Sequence, residues 1–244
     1  CALPISLTRR HLGPIQDLAD EGFACTADNL EAVAARDLVI LAVEPRQVAS
    51  LAAELGPHLD PDRHLVCSVA SGVPVTAVRE ALGREDVPLV RAMPNTASAL
   101  GQSMTCLARE GLAPSPTEVD PALEAFGELF GLVGRTLVID EELMTPATAL
   151  AACGVAFFLR AIRAASQGGI EIGFHPTEAL TLAAQTALGA ASLVAAEDQH
   201  PERAIDAVTT PRGCTIAGLN EMEHRGFSSA VIRGIVTSAE KAGG

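Results

Sequence analysis

Several short tracts of this 244-residue chain combine residue types that could hold and turn over a small ligand. Three share one layout, an apolar run ending in a small or polar turn: Val43-Glu44-Pro45, Ala70-Ser71-Gly72 and Met93-Pro94-Asn95. In an open α/β sheet, ligands bind just beyond the carboxyl ends of the strands, so three such ends point to one crevice. Pro and Gly after strands are also ordinary turn chemistry, and each tract alone reads that way too. Met-Pro-Asn needs a further reason, because Pro stops a strand ladder and Asn offers an amide to a ligand. A later tract runs Thr209-Thr210-Pro211-Arg212-Gly213-Cys214-Thr215. Its backbone N–H groups and hydroxyls at a helix start suit a small carboxylate. The plainer alternative is Thr210 as a helix cap with Pro211 at the first helical position.

These tracts need elements to position them. From Ile5 to Ile139, short apolar runs alternate with helical stretches, a βαβ pattern. Strands are expected at Ile5 to Leu7, Leu38 to Val43, Leu65 to Val69, Leu89 to Met93, Met104 to Leu107 and Leu137 to Ile139. The run Leu38 to Val43 lacks period-two alternation, as in a strand buried on both faces of a parallel sheet, and Pro45 then suits a first helical turn. After Asp140 the sequence turns Ala-rich and helical: Glu142 to Ala165, Pro176 to Ala196 and Thr215 to Gly226. The expected organisation is a doubly wound α/β domain over 1–140 and an all-helical domain over 141–244. The helices carry Ala and Leu on most faces, so the second half is expected to pack against a second copy of the chain.

Composition excludes other classes. Seventeen basic and 30 acidic residues give a net charge of −13, and no basic run exceeds Arg9-Arg10, so nucleic acid is not an expected partner. The six cysteines are scattered without C-x-x-C pairs or clustered His partners, so no metal is assigned and the thiols read as reduced and cytoplasmic. Ala179 to Ala196 approaches membrane-span length, but Thr181, Gln185, Thr186 and Ser192 interrupt it. It reads as a buried helix of a soluble protein, not a lipid span.

Three motifs then carry a family likeness: Leu41-Ala42-Val43-x-Pro45, Val90-Arg91-x-Met93-Pro94-Asn95-Thr96 and Val208-Thr209-Thr210-Pro211-x-Gly213-x-Thr215. From about Ile5 to Lys241 the chain resembles the pyrroline-5-carboxylate reductases, as an N-terminally truncated and diverged member. The resemblance implies a Rossmann-like parallel sheet whose first βα unit is missing, followed by a helical dimerisation domain. It implies that Asn29, Val43, Glu44, Pro45, Ala70, Met93, Pro94 and Asn95 line an NAD(P)H groove. Thr8, Arg9 and Arg10 fall where the adenosine ribose and any 2′-phosphate are read. An Arg pair there favours NADPH over NADH, although a solvated surface pair is the alternative. In the 209–215 loop the resemblance implies a substrate clamp of Thr209, Thr210, Gly213 and Cys214. Backbone amides near Thr210 and Gly213 hold the carboxylate, and Thr215 is the catalytic contact to the ring nitrogen of a cyclic imine. Asp198 aligns with an acidic position near that loop, or is a solvated helix-end charge.

The chain also departs from the family. No G-x-G occurs anywhere, so the Gly-rich pyrophosphate turn is expected to lie outside these residues. Glu44 replaces Lys and should repel cofactor phosphates unless its side chain turns away. Ala97 replaces Pro, Ala151 to Phe157 replaces a hydroxyl-rich tract, and Arg212 replaces Gly, so a need for positive φ at 212 would oblige the loop to differ. The expected reaction is reduction of 1-pyrroline-5-carboxylate to L-proline. The alternatives are a catalytically silent dimeric binding or regulatory module, or an imine reductase with another substrate. A β-hydroxyacid dehydrogenase ranks last, since it wants a Lys at the start of the second domain and none occurs before Lys241.

Overall fold

A computed structural model describes residues 5–110, 120–197 and 200–243. Its first part runs β1 (Ser6–Thr8), α1 (Gln16–Asp20), β2 (Ala24–Thr26), α2 (Asn29–Ala34), β3 (Leu38–Leu41), α3 (Pro45–Leu55), β4 (Leu65–Ser68), α4 (Val75–Leu82), β5 (Leu89–Met93), β6 (Ser103–Arg109), α5 (Pro121–Gly131) and β7 (Gly134–Val138). The chain continues through α6 (Met144–Ala147), a π-helical turn Thr148–Cys153, α7 (Gly154–Glu171), α8 (Pro176–Glu197), α9 (Pro201–Ala207), α10 (Cys214–His224) and α11 (Phe227–Ala242). Local chemistry sets many of these boundaries. Asp28 caps α2 and Asp120 caps α5, each accepting two backbone N–H groups. Pro45 and Pro121 open α3 and α5, where a missing N–H costs nothing. Gly134 enters β7 at φ 151°, and a Cβ there would overlap the backbone of Ser103 on the paired strand.

The strands form two sheets. β1 and β2 make a parallel pair, and β3-β4-β5-β6-β7 make a five-stranded sheet. The pairs β3–β4, β4–β5 and β6–β7 are parallel, whereas β5–β6 is antiparallel. The expected all-parallel arrangement is therefore broken once, because only the short 3₁₀ turn Thr96–Leu100 joins β5 to β6 and a parallel crossover needs far more chain. β3 stops at Leu41, two residues before the expected Val43, and among the described residues it pairs with β4 alone; Val39 and Leu41 are buried, while Ile40 between them is 41% exposed. β2, which the sequence reading did not anticipate, is three residues long, too short for a periodic signal.

The described residues divide into two compact units, one up to Ala151 and one over Ala152–Ala242. In the first, Val39, Leu41, Val48, Val66 and Val78 sit in one cluster between sheet and helices, and Val90, Leu107 and Phe126 in another. A third, smaller cluster holds Met93, Cys106, Ala108 and Met144. Burial pushes the Cys67 thiol well above its ordinary pKa and raises that of Cys106, so both are inert fillers.

The second unit is almost without a core of its own. Ala179 is the one buried residue of α8 among its described side chains, while Leu180, Leu182, Leu188 and Leu193 are exposed. The expectation of a buried helix over Ala179 to Ala196 is corrected within the single chain: its apolar residues lie on all faces and α7 can cover only one. The stretches 141–171 and 176–196 are long and apolar enough to cross a membrane, by length and composition alone.

Candidate active site

The parallel register of β3, β4 and β5 places their carboxyl ends side by side, so the tracts at 43–45, 70–72 and 93–95 share one edge of the sheet. That edge is where an open α/β sheet takes its ligands. The residues there do different jobs. Glu44 and Pro45 are exposed and Val43 is half-buried against the core. Ala70 and Met93 are only 4% and 5% exposed, so as side chains they belong to the core and not to a groove; what they offer a ligand is backbone. Pro94 is half-buried.

The carboxamide of Asn95 is engaged with the protein. Its Oδ1 accepts the Ala97 N–H at 3.0 Å and its Nδ2 donates to the Ala151 carbonyl at 3.1 Å. Ala97, standing in place of Pro, is what supplies that N–H. Asn29, at the start of α2, donates from Nδ2 to Glu54 Oε1 on α3 at 3.1 Å.

Electrostatics at this edge differ from a simple count of charges. The charge of Glu44 is not left alone: its Oε2 lies 2.6 Å from the Arg46 guanidinium. Such an exposed pair is worth little to stability but cancels the local negative charge. Thr8, Arg9 and Arg10 are exposed at the carboxyl end of β1, and neither guanidinium has an ion-pair partner among the described residues. Two free forks at a strand end are suited to a phosphate.

Sequence reasoning passed over a buried ion pair on the same sheet. Arg91 of β5 donates from Nη1 to Glu141 Oε1 at 2.9 Å, with side chains 5% and 18% exposed. The same Oε1 accepts the Val75 N–H, the first of α4, at 3.1 Å. Glu141 thus ties the strand bearing Met93-Pro94-Asn95 to the helix that follows Ala70-Ser71-Gly72. The signal was present in part: an Arg inside the apolar run Leu89 to Met93 demands a buried partner. The partner, 50 residues on, could not be read from spacing.

In the second unit, the 209–215 tract forms a tight turn. Gly213 N–H donates to the Thr210 carbonyl at 2.9 Å, and Arg212 takes φ 61°, the pattern of a type II turn with Pro second. The loop therefore keeps a positive-φ turn, and Arg212 bears a strain of about 1 kcal/mol that Gly would not. A Cβ at Gly213 would stand 2.6 Å from Thr210 Oγ1 and 3.0 Å from Thr210 O, so the turn closes only around Gly. Gly213 itself is the N-cap of α10 with no side-chain cap. This corrects the alternative of Thr210 as cap and Pro211 as first helical residue, because the chain reverses before the helix begins. It also commits the Gly213 amide to the turn.

Thr209 is likewise engaged, its Oγ1 donating to the Ile205 carbonyl at 2.7 Å at the end of α9. The remaining polar groups are the exposed Thr210, the exposed Cys214 thiol, the half-buried Thr215 hydroxyl and the first-turn amides of α10. Thr215 Oγ1 has no hydrogen-bond partner among the described residues. Asp198 lies outside the described residues.

Comparison with known proteins joins these halves. Residues 141–244 match the family model for pyrroline-5-carboxylate reductase dimerisation. Residues 5–72 match that for coenzyme F420-dependent NADP oxidoreductase. Pyrroline-5-carboxylate reductase 1 of Dictyostelium discoideum is 50% identical over 98% of this chain, which spans 44% of that protein's length. Pyrroline-5-carboxylate reductase 2 of the same organism is 48% identical, with 98% of this chain and 82% of that protein covered. The structure of a pyrroline-5-carboxylate reductase from Coxiella burnetii superposes with a TM-score of 0.88 at 26% identity, covering 98% of this chain and 87% of that one. A Rossmann-like sheet of the NADP-oxidoreductase type, a helical dimerisation segment and this depth of identity along nearly the whole chain place it in the pyrroline-5-carboxylate reductase family.

Proposed function

We propose that this chain reduces the C=N bond of 1-pyrroline-5-carboxylate to give L-proline, with NADPH preferred over NADH. The observation that carries this reading is 48% identity to a relative of that name, most of whose length the chain covers. The nucleotide fits the sheet edge formed by the ends of β3, β4 and β5, with Arg9 and Arg10 free for a 2′-phosphate. When bound, the reduced nicotinamide supplies the hydride for the imine carbon.

The chain's own residues bind and orient. The first-turn amides of α10 hold the substrate carboxylate, helped by the positive end of an 11-residue helix. Thr215 Oγ1 bonds the ring nitrogen and fixes the imine face. A protonated imine is already electrophilic, so positioning supplies most of the acceleration and no strong general acid is needed. Steady-state oxidation of NADPH in the presence of racemic pyrroline-5-carboxylate tests the reading. Turnover that needs both reactants supports it, and a folded protein with no turnover favours the silent dimeric module.

The working form we propose is a homodimer, or a larger assembly of dimers, in the cytoplasm, where the free thiols would stay reduced. The exposed leucines of α8 support it, since a second copy would cover what the chain alone leaves open. Leu188→Asp is expected to shift the protein from dimer to monomer in light scattering, with loss of activity. A variant that stays dimeric and active would show that α8 is not the interface.

A further inference from the structure

The segment that leaves the sheet after β7 is docked along β5 residue by residue. Glu141 binds Arg91; Met144 packs in the cluster of Met93; Thr148 Oγ1 lies 3.5 Å from Met93 Sδ; and the Ala151 carbonyl accepts the Asn95 carboxamide. The spacing 141, 144, 148, 151 is one face of a helix, and 91, 93, 95 is one face of a strand. The two faces advance together toward the carboxyl end of β5. Asn95 makes the last bond of this series, onto the π-helical turn Thr148–Cys153, and the first compact unit ends at Ala151. π-Helical turns are rare and cluster at functional sites, because the widened ring leaves backbone groups to be satisfied by something else. Here the Asn95 carboxamide, two residues beyond β5, donates to the Ala151 carbonyl within the turn.

We propose that Asn95 is a positioning residue: its carboxamide holds the π-helical turn against the end of β5 and acts on the reaction through that turn, without touching cofactor or substrate. Its Oδ1 and one Nδ2–H are already committed within the protein. The effect on turnover rests on the reductase reading above; the effect on the turn does not.

Asn95→Ser tests this. Serine still offers an uncharged cap to the Ala97 N–H but is too short to reach the Ala151 carbonyl. Cys153, half-buried within the turn, is the reporter, and the exposed Cys214 is the internal standard for alkylation followed by peptide mass. The expected result is alkylation of Cys153 relative to Cys214 faster by about fivefold or more. With it, kcat should fall by about tenfold while the KM for NADPH stays within about twofold. An unchanged Cys153 rate overturns the proposal, as does a faster Cys153 with unchanged kcat. A KM for NADPH raised about tenfold would make Asn95 a cofactor contact and overturn it too. If the unmodified protein proves inactive with pyrroline-5-carboxylate, the reductase reading fails by itself. NADPH binding followed by fluorescence then decides: unchanged affinity with faster Cys153 alkylation supports the positioning role, and weakened affinity overturns it.

Discussion

Thr215→Ala lowers kcat/KM for pyrroline-5-carboxylate by about 10- to 100-fold, the equivalent of one hydrogen bond to a charged group in the transition state, while the KM for NADPH stays within about twofold. The expectation follows from what the structure leaves free. Thr209 is tied to Ile205, the Gly213 amide is committed to the turn, and Thr215 alone of the half-buried hydroxyls in this tract keeps an unpartnered oxygen. Thr215→Ser, which keeps the hydroxyl, should retain most of the rate. An unchanged rate in the alanine variant would remove Thr215 from the chemistry and leave the α10 amides as the whole of the clamp.

The second large effect concerns stability. Arg91→Met leaves the Glu141 carboxylate mostly buried beside a thioether, which is expected to cost about 3–5 kcal/mol, the usual penalty for orphaning one member of a buried pair. The double variant Arg91→Met/Glu141→Leu should recover most of that loss. It forgoes only the cap on the Val75 N–H, worth about 1 kcal/mol. Two atoms of the native pair, Arg91 Nε and Glu141 Oε2, are buried without a partner, so the pair is not ideally satisfied even before mutation. Urea unfolding at one fixed protein concentration separates the cases, because dimerisation otherwise shifts the apparent midpoint. A single variant as stable as the double would mean that Glu141 finds water or another donor, and that the pair does not hold β5 to the 141–151 segment.

How far these features were legible depended on how local they are. β4 and β5 appear where their apolar runs stand, since a buried strand is a short-range property of hydrophobicity and branching. The helices from Pro176 and Cys214 likewise start within a residue of where Pro and the turn chemistry put them. β2 escaped because three residues carry no period, and the reversal of β6 because a turn length fixes direction only once the paired strands are known.

The helical stretch expected over Glu142 to Ala165 is one apolar run in sequence but contains α6, the π-helical turn and α7. Asn95, a residue distant in sequence, bonds to the interrupted stretch, so no local propensity reveals the contact. The same holds for the site. The 209–215 tract stood out by type and spacing and Arg9-Arg10 through the family resemblance, whereas the occupied state of Asn95, Asn29, Thr209 and Gly213 depends on partners that only the fold supplies. Arg212 shows the limit from the other side: its type argued against a positive φ, and the turn closed by Thr210 and Gly213 imposes one regardless.

The central claim is that hydride reaches the imine carbon of a cyclic imino acid on this protein. The most direct measurement supplies NADPH deuterated at the transferring position together with pyrroline-5-carboxylate, and analyses the product by mass. The account predicts L-proline carrying one deuterium, formed in step with cofactor oxidation and only when protein and both reactants are present. Cofactor oxidation without labelled proline, or no proline from a folded dimer, would contradict it.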